Sequence, residues 1–159
     1  MAAETALAQT ARIFVDGDAC PVKDETLKVA ARHRLPVVIV SNGGLRPSRD
    51  ANVTHVVVPK TPDAADDWIA AEVRPGEIVV TADIPLAARV LDKDAHALAP
   101  NGWPFTADSI GMALAMRDLK QHLRETGESK GYNAGFTRED RSRFLSGLDR
   151  LARRAVTAR

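Results

Sequence analysis

The chain has 159 residues, of which 45% are hydrophobic and 27% charged, which suits a single globular domain with one core. Its one cysteine excludes an internal disulfide and favours a reducing compartment, and no apolar run approaches the roughly 20 residues that span a bilayer. Residues 1–10 lack the basic and apolar regions of a signal peptide and are predicted to be a disordered tail. We therefore expect a cytoplasmic protein that has no contact with membranes.

The net charge of +1 conceals an uneven distribution along the chain. Residues 117–159 hold eleven basic and six acidic residues, whereas residues 1–116 hold eleven basic and fifteen acidic ones. An acidic body with a basic C-terminal part is typical of a metal site beside an arm that binds a polyanion. A solvated, arginine-rich final helix would give the same count, so charge alone leaves both interpretations open.

Short β-branched segments alternate with helical patterns, which indicates a mainly parallel sheet built from βαβ units. Strands are predicted at residues 13–16, 36–41, 55–58, 77–81 and 95–99. Helices are predicted at residues 21–34, 62–73, 84–91, 106–123 and 136–154, with a loop at 125–135. Pro21 is expected at the first helical position and Thr61 as the N-cap of the second helix. We expect one three-layer α/β domain over residues 11–154, with about five strands, helices on both faces and an amphipathic C-terminal helix.

Carboxylates stand where predicted strands end or predicted helices begin. They are Asp16, Asp18, Asp63, Asp66, Asp83 and Asp108. The carboxyl ends of parallel strands meet at one edge of a sheet. Carboxylates gathered there repel one another unless a cation lies between them, so these residues predict a divalent-metal site. All-oxygen ligation favours Mg²⁺ or Mn²⁺, and the four histidines show no zinc-like spacing. All of them except Asp16 also have an ordinary explanation as helix caps or partners of a helix dipole.

Polar residues near the same edge are candidates for substrate binding. They are Ser41, Asn42, Arg46, Lys60 and Thr81. Turn chemistry explains Ser41 and Asn42 nearly as well, and solvated loop charge is the default interpretation of Arg46 and Lys60. Trp103, in a Gly-Trp-Pro turn, is a candidate for stacking a nucleic-acid base. Cys20 adjoins the acids, which suppress thiolate formation, so we expect a packed small residue there and not a nucleophile.

The chain resembles the bacterial YaiI/YqxD family through several segments in the right order over about residues 12–150. The segments are Val15-Asp16-Gly17-Asp18-Ala19-Cys20-Pro21-Val22-Lys23, Val40-Ser41-Asn42-Gly43, Asp63-Ala64-Ala65-Asp66, Val80-Thr81-Ala82-Asp83-Ile84-Pro85-Leu86-Ala87 and Phe105-Thr106. Gly17 stands where that family's first motif has alanine, and residues 131–135 depart from its Lys-Gly-Pro-like pattern.

That family is similar in turn to PIN-like and NYN ribonuclease domains. The resemblance implies acids after strand 1, at a helix start after strand 3, and after strand 4. Asp16, Asp63, Asp66 and Asp83 fill those places. It implies metal-assisted hydrolysis of phosphodiesters in single-stranded RNA, with Asp16, Asp66 and Asp83 as the catalytic residues.

Two other functions stay open at this point. A haloacid-dehalogenase-like phosphatase would use Asp16 as a covalent nucleophile, with Asp18, Ser41, Lys60 and Asp83 in supporting roles. The helix after strand 1 follows too soon for the long insert of that family, so the nuclease interpretation is favoured. The chain could alternatively be a non-catalytic domain that binds RNA or a protein, and the sequence does not determine its oligomeric state.

Overall fold

The computed structural model describes residues 10–17, 20–43, 48–125 and 135–157. Within these ranges the strands are β1 (Ile13–Asp16), β2 (Val37–Ser41), β3 (Val53–Val57), β4 (Ile78–Val80), β5 (His96–Leu98) and β6 (Pro104–Phe105). The helices are α1 (Lys23–His33), α2 (Ala64–Glu72), α3 (Ile84–Asp92), α4 (Ala107–Glu125) and α5 (Arg138–Thr157). The predicted α/β class is confirmed.

The strands form one sheet in the order β3-β2-β1-β4-β5-β6. Every neighbouring pair is parallel except β5 and β6, which are antiparallel. The chain places β2 and β3 on one side of β1, then crosses back to place β4 and β5 on the other side. The strand order therefore reverses between β1 and β4, and the crevice outside their carboxyl ends is the usual ligand position in such sheets.

Side chains of β1 alternate between two apolar cores, one on each face of the sheet. Ile13 and Val15 pack with α1 and α5, whereas Phe14 packs with α2 and α3. The two cores explain the continuous apolar runs in the central strands, because both faces of those strands are covered. Phe14 also meets Trp68 of α2, with ring centroids 6.2 Å apart.

The predicted elements all occur in the described ranges, with small errors at their ends. Helix α1 begins at Lys23, so Pro21 precedes the helix and is not its first residue. The segment at 104–105, expected to be only extended, pairs with β5 as a sixth strand. The C-terminal helix spans Arg138–Thr157, a shift of two or three residues from the predicted 136–154. The predicted tail and most of the predicted 125–135 loop lie outside the described residues.

A buried ion pair joins the starts of β1 and β4 at the opposite edge of the sheet. Glu77 is only 2% exposed. Its carboxylate accepts hydrogen bonds from Nε of Arg12 at 2.7 Å and Nη2 of Arg12 at 3.0 Å. It also accepts from the backbone N–H of Arg12 at 3.0 Å and of Arg74 at 2.8 Å. These bonds compensate the cost of burying the charge, and they raise the pKa of the Arg12 guanidinium.

Candidate functional site

Asp16 and Thr81 lie side by side where β1 and β4 end. Val15 pairs with Val80, so the next residue of each strand comes to the same level of the sheet. The hydroxyl of Thr81 donates a hydrogen bond to Oδ2 of Asp16 at 3.1 Å. The same hydroxyl oxygen accepts the backbone N–H of Asp83 at 3.0 Å. Thr81, only 2% exposed, thus links the two carboxylate-bearing segments.

Asp83 is held at this edge because it caps helix α3. Its Oδ1 accepts the backbone N–H of Leu86 at 2.8 Å, and its backbone is extended. A proline in the first turn of α3 suits a helix start. The cap fixes the side chain beside Asp16 through one oxygen, and a carboxylate has a second oxygen for another partner.

Helix α2 begins differently from the sequence prediction. Asp63, not Thr61, is the N-cap residue, and its backbone is left-handed with φ 67°. Its side chain makes no capping hydrogen bond. Asp66 follows in the first turn of the helix, whereas Asp67 is exposed and pairs with Arg89 at 2.8 Å.

Four carboxylates line one cavity, which we call the acidic cavity. Its volume is about 360 Å³, and its walls include Asp16, Asn42, Asp63, Asp66 and Asp83. None of the described residues that line it is lysine, arginine or histidine. The cavity is therefore a strongly negative crevice at the point where the strand order reverses.

The pKa of Asp66 is raised by its position among the other carboxylates. Partial burial is the largest cause that raises its pKa, followed by the negative charges of Asp83, Asp16 and Asp63. Arg89 lowers it by a smaller amount, and the result is a pKa of about 6 instead of 3.8. A strongly perturbed carboxyl group in a cleft is a functional-site candidate with a physical rationale.

A second cavity shares two of these acids. It has a volume of about 320 Å³ and is lined by Asp16, Cys20, Thr81, Asp83 and Pro100, among others; we call it the threonine cavity. Cys20 and Pro100 were not among the predicted site residues. The rule used for the acids could have found Pro100, because it follows the carboxyl end of β5 at the same edge. Burial raises the pKa of the Cys20 thiol above its usual range, which agrees with the prediction that it is no nucleophile.

The other predicted site residues fall into three groups. Asp18 and Arg46 lie outside the described residues. Ser41 is buried and its hydroxyl accepts the N–H of Gly43 at 3.3 Å, a turn role. Lys60 and Asp108 are exposed and line neither of these two cavities.

The site is an open set of ligands and not a closed cage. Among the described residues, no three His, Cys, Asp or Glu side chains come close enough together to form a finished metal site. Among the described residues that line the acidic cavity, the charged groups are all carboxylates, and carboxylate oxygens are ligands that Mg²⁺ and Mn²⁺ prefer.

Comparison with known proteins places this chain in a family. The family model described as "Uncharacterized BCR, YaiI/YqxD family" matches residues 14–154. The chain belongs to the YaiI/YqxD family. It is 65% identical to a UPF0178 protein of Mesorhizobium japonicum over 144 residues, which cover 91% of this chain and 93% of that protein. A UPF0178 protein of Parvibaculum lavamentivorans is 64% identical, over 86% of this chain and 90% of its own length.

The match to the YaiI/YqxD family includes every residue of the acidic cavity and all of the sheet except Ile13, since it runs from the second residue of β1 almost to the end of α5. No solved structure matches this chain. In the part of the chain that the structure describes, none of the helices has the length and apolarity needed to cross a membrane.

Proposed function

We propose that this protein is a Mg²⁺- or Mn²⁺-dependent phosphodiester hydrolase that acts on single-stranded RNA. One observation carries the proposal: Asp16, Asp63, Asp66 and Asp83 line a single cavity at the strand-order reversal. The mutual influence of their charges on the pKa of Asp66 supports the view that they act as one set. Carboxylates held this way bind a hard divalent cation, whose charge offsets their repulsion.

The carboxylates of the acidic cavity are chemically suited to hold Mg²⁺ or Mn²⁺. Asp16, Asp66 and Asp83 would hold it, with Asp63 at the rim of the cavity. A bound Mg²⁺ or Mn²⁺ would supply an activated water and neutralise charge on the phosphate group.

The protein's own residues would set the geometry of this chemistry. The Thr81 hydroxyl orients the Asp16 carboxylate, and the cap of α3 orients Asp83. Such supporting hydrogen bonds reduce the freedom of ligand side chains before an ion arrives. Asn42, which also lines the acidic cavity, has an amide that could donate to a phosphate oxygen.

The phosphatase alternative has less support. It needs a lysine close to the nucleophile, and Lys60 is exposed and lines neither the acidic nor the threonine cavity. It also needs a serine hydroxyl at the phosphate, whereas Ser41 is buried and engaged with the turn that follows β2. We therefore prefer the nuclease.

The test uses purified protein with Mn²⁺, a single-stranded RNA and a phosphomonoester in parallel reactions. The decisive variant is Asp83→Asn, because asparagine caps helices as well as aspartate does and should leave α3 intact. We expect RNA cleavage by the unaltered protein and a loss of about 100-fold or more in the variant. Asp92→Asn, an exposed position of α3 that lines neither cavity, is the matched control and should cleave normally.

Other outcomes identify the alternatives. Phosphomonoester turnover with an aspartyl-phosphate on Asp16 would establish the phosphatase instead. Salt-sensitive RNA binding without any hydrolysis, in the presence of Mn²⁺, would refute the proposal and favour a non-catalytic binding domain.

A further inference from the structure

A second charged cavity lies far along the sheet from the acids, between the β5–β6 edge and helix α5. We call it the arginine cavity. Its volume is about 420 Å³, and its walls include His96, Trp103, Arg143, Arg150 and Arg154. None of the described residues that line it is aspartate or glutamate. Three guanidinium groups line it, of which Arg143 pairs with Asp140 outside this wall at 3.2 Å, and the excess of positive charge favours an anion.

The arginine cavity is built into the fold. Gly102, with φ 91°, brings the turn before β6 against the backbone of α5 so closely that a Cβ would lie 2.5 Å from the N of Phe144. Gly147 of α5 makes the matching approach, since a Cβ there would lie 3.3 Å from the carbonyl oxygen of Gly102. Nη1 of Arg143 then donates to the carbonyl oxygen of Asn101 at 3.0 Å. The wall of the cavity is therefore rigid.

Trp103 at the cavity mouth combines an exposed ring with a neighbouring cation. The guanidinium of Arg143 lies 4.6 Å from the ring centroid, which stabilises both groups. Trp103 is nevertheless 60% exposed, so most of its surface remains open to another stacking partner. An exposed indole ring of this kind can stack a nucleic-acid base, because every base has a flat aromatic face.

A series of shared wall residues links the arginine cavity to the acidic one. The acidic and threonine cavities share Asp16 and Asp83. Pro100 then joins the threonine cavity to a larger apolar one of about 950 Å³. That cavity, which we call the aromatic cavity, has Phe136 in its wall and shares Trp103 and Phe105 with the arginine cavity.

We propose that these four cavities form one track for a single-stranded nucleic acid, with phosphates held in the arginine cavity and a base stacked on Trp103. The order of surfaces fits that ligand: guanidinium groups for phosphates, aromatic and apolar walls for bases. The negative acidic cavity lies at the far end of the track. The inference rests on the proposed function only for where cleavage would occur, because binding to the arginine and aromatic cavities needs neither metal nor hydrolysis.

The arginines of α5 differ in their ion pairs. Arg150 is exposed and has no ion pair with any described residue. Other arginines of α5 are engaged with acids, as Arg141 is with Glu25 at 3.4 Å and Arg153 with Asp149 at 2.8 Å. Arg143 of the cavity wall also pairs with an acid, Asp140, at 3.2 Å, so Arg150 contributes positive charge to this cavity that no described acid offsets by direct contact.

The experiment measures binding by fluorescence anisotropy, with EDTA present so that no cleavage occurs. The probe is a fluorescent single-stranded RNA of about ten nucleotides, and a mononucleotide and a dinucleotide serve as competitors. The variant Arg150→Gln/Arg154→Gln should flatten the dependence of log affinity on log salt by about 1.4, since each lost phosphate contact on a single strand contributes about 0.7. Lys28→Gln/Lys93→Gln changes the net charge equally at residues that line none of the four cavities, and it should leave the slope unchanged.

Substitutions of Trp103 test the proposed base stacking independently of the phosphate contacts. Trp103→Ala should weaken binding roughly ten- to hundredfold through the loss of base stacking. Trp103→Phe keeps an aromatic face and should retain most of the affinity.

Several results would overturn the inference. The inference fails if the arginine double variant has the same salt dependence of binding as the lysine control. It also fails if Trp103→Ala binds as tightly as Trp103→Phe, because the arginine cavity would then not contact the RNA. A mononucleotide that competes as well as the longer strand would make the site a single-nucleotide pocket. Failure to bind RNA at all would leave a protein partner as the occupant. If instead Asp83→Asn abolishes cleavage while the arginine variants bind and cleave normally, the proposed function holds and only the track fails.

Discussion

Replacement of Asp66 by asparagine should stabilise the metal-free protein near neutral pH. The carboxyl of Asp66 has a pKa of about 6 in the folded protein and 3.8 when unperturbed. Between these values the folded state binds more protons than the unfolded state, so the free energy of unfolding decreases as the pH rises through that window. The destabilisation is absent below about pH 4, and it is fully present above about pH 6.

The magnitude follows from the same two pKa values. Each pKa unit corresponds to about 1.36 kcal/mol, so the full shift would amount to roughly 3 kcal/mol. Asp66 is only partly buried, and screening by solvent reduces this to about 1 kcal/mol. For a domain of this size, that corresponds to a rise in Tm of about 2–4 °C.

The assay is thermal unfolding followed by circular dichroism in EDTA at pH 7.5 and pH 4. The Tm of Asp66→Asn should exceed that of the unaltered protein at pH 7.5, and the two should converge at pH 4. Asp92→Asn removes an exposed carboxylate elsewhere and should change neither value. When EDTA is replaced by Mn²⁺, the Tm of the unaltered protein should rise more than that of Asp66→Asn, because only the unaltered protein keeps all the carboxylates proposed to hold the ion.

The reasoning would be refuted by an Asp66→Asn protein that is no more stable than the unaltered one at pH 7.5. An equal gain at both pH values would also refute it, because a gain that is independent of protonation cannot come from repulsion between carboxylates.

Three further substitutions test the supporting structure. Glu77→Ala should lower the free energy of unfolding in urea by about 3–5 kcal/mol, because it removes the buried partner of Arg12 and leaves the backbone N–H groups of Arg12 and Arg74 without their acceptor. Glu72→Ala, at the exposed end of the same cluster, should lower it by about 1 kcal/mol or less. Gly102→Ala should lower the free energy of unfolding by about 1–3 kcal/mol more than Gly76→Ala does. Both glycines have positive φ, but of the two only Gly102 has backbone atoms within 3 Å of the new Cβ. Equal losses of stability in the two variants would argue against the close approach of this turn to α5. Thr81→Val should reduce Mn²⁺ affinity by about 10- to 100-fold, measured by calorimetry, and Thr81→Ser, which keeps the hydroxyl, should not.

The sequence predicted much of this fold because local patterns and topology agreed. The run Ile13–Asp16 is apolar up to its last residue, and its end was predicted to the residue. The convergence of Asp16 and Asp83 required only that β1 and β4 be parallel members of one sheet. Asp66 reached the same cavity because α2 begins at that edge.

Other features had no local signal. The left-handed backbone of Asp63 displaces the start of α2 from Pro62 to Ala64, and aspartate shares this conformation with few residues other than glycine and asparagine. Strand β6 is two residues long and exists only through its pairing with β5. The arginine cavity depends on the packing of α5 against a turn more than forty residues earlier, which periodicity cannot reveal.

The Arg12–Glu77 pair has a consequence for the distant carboxyl edge. Strand β4 is three residues long, so little within it opposes a slip against β1. A slip of one residue would reverse the side chains of β4 between the two faces and would separate the Thr81 hydroxyl from Asp16. By anchoring both strands where they begin, the ion pair sets the alignment of Asp16 and Thr81 from the other end of the sheet.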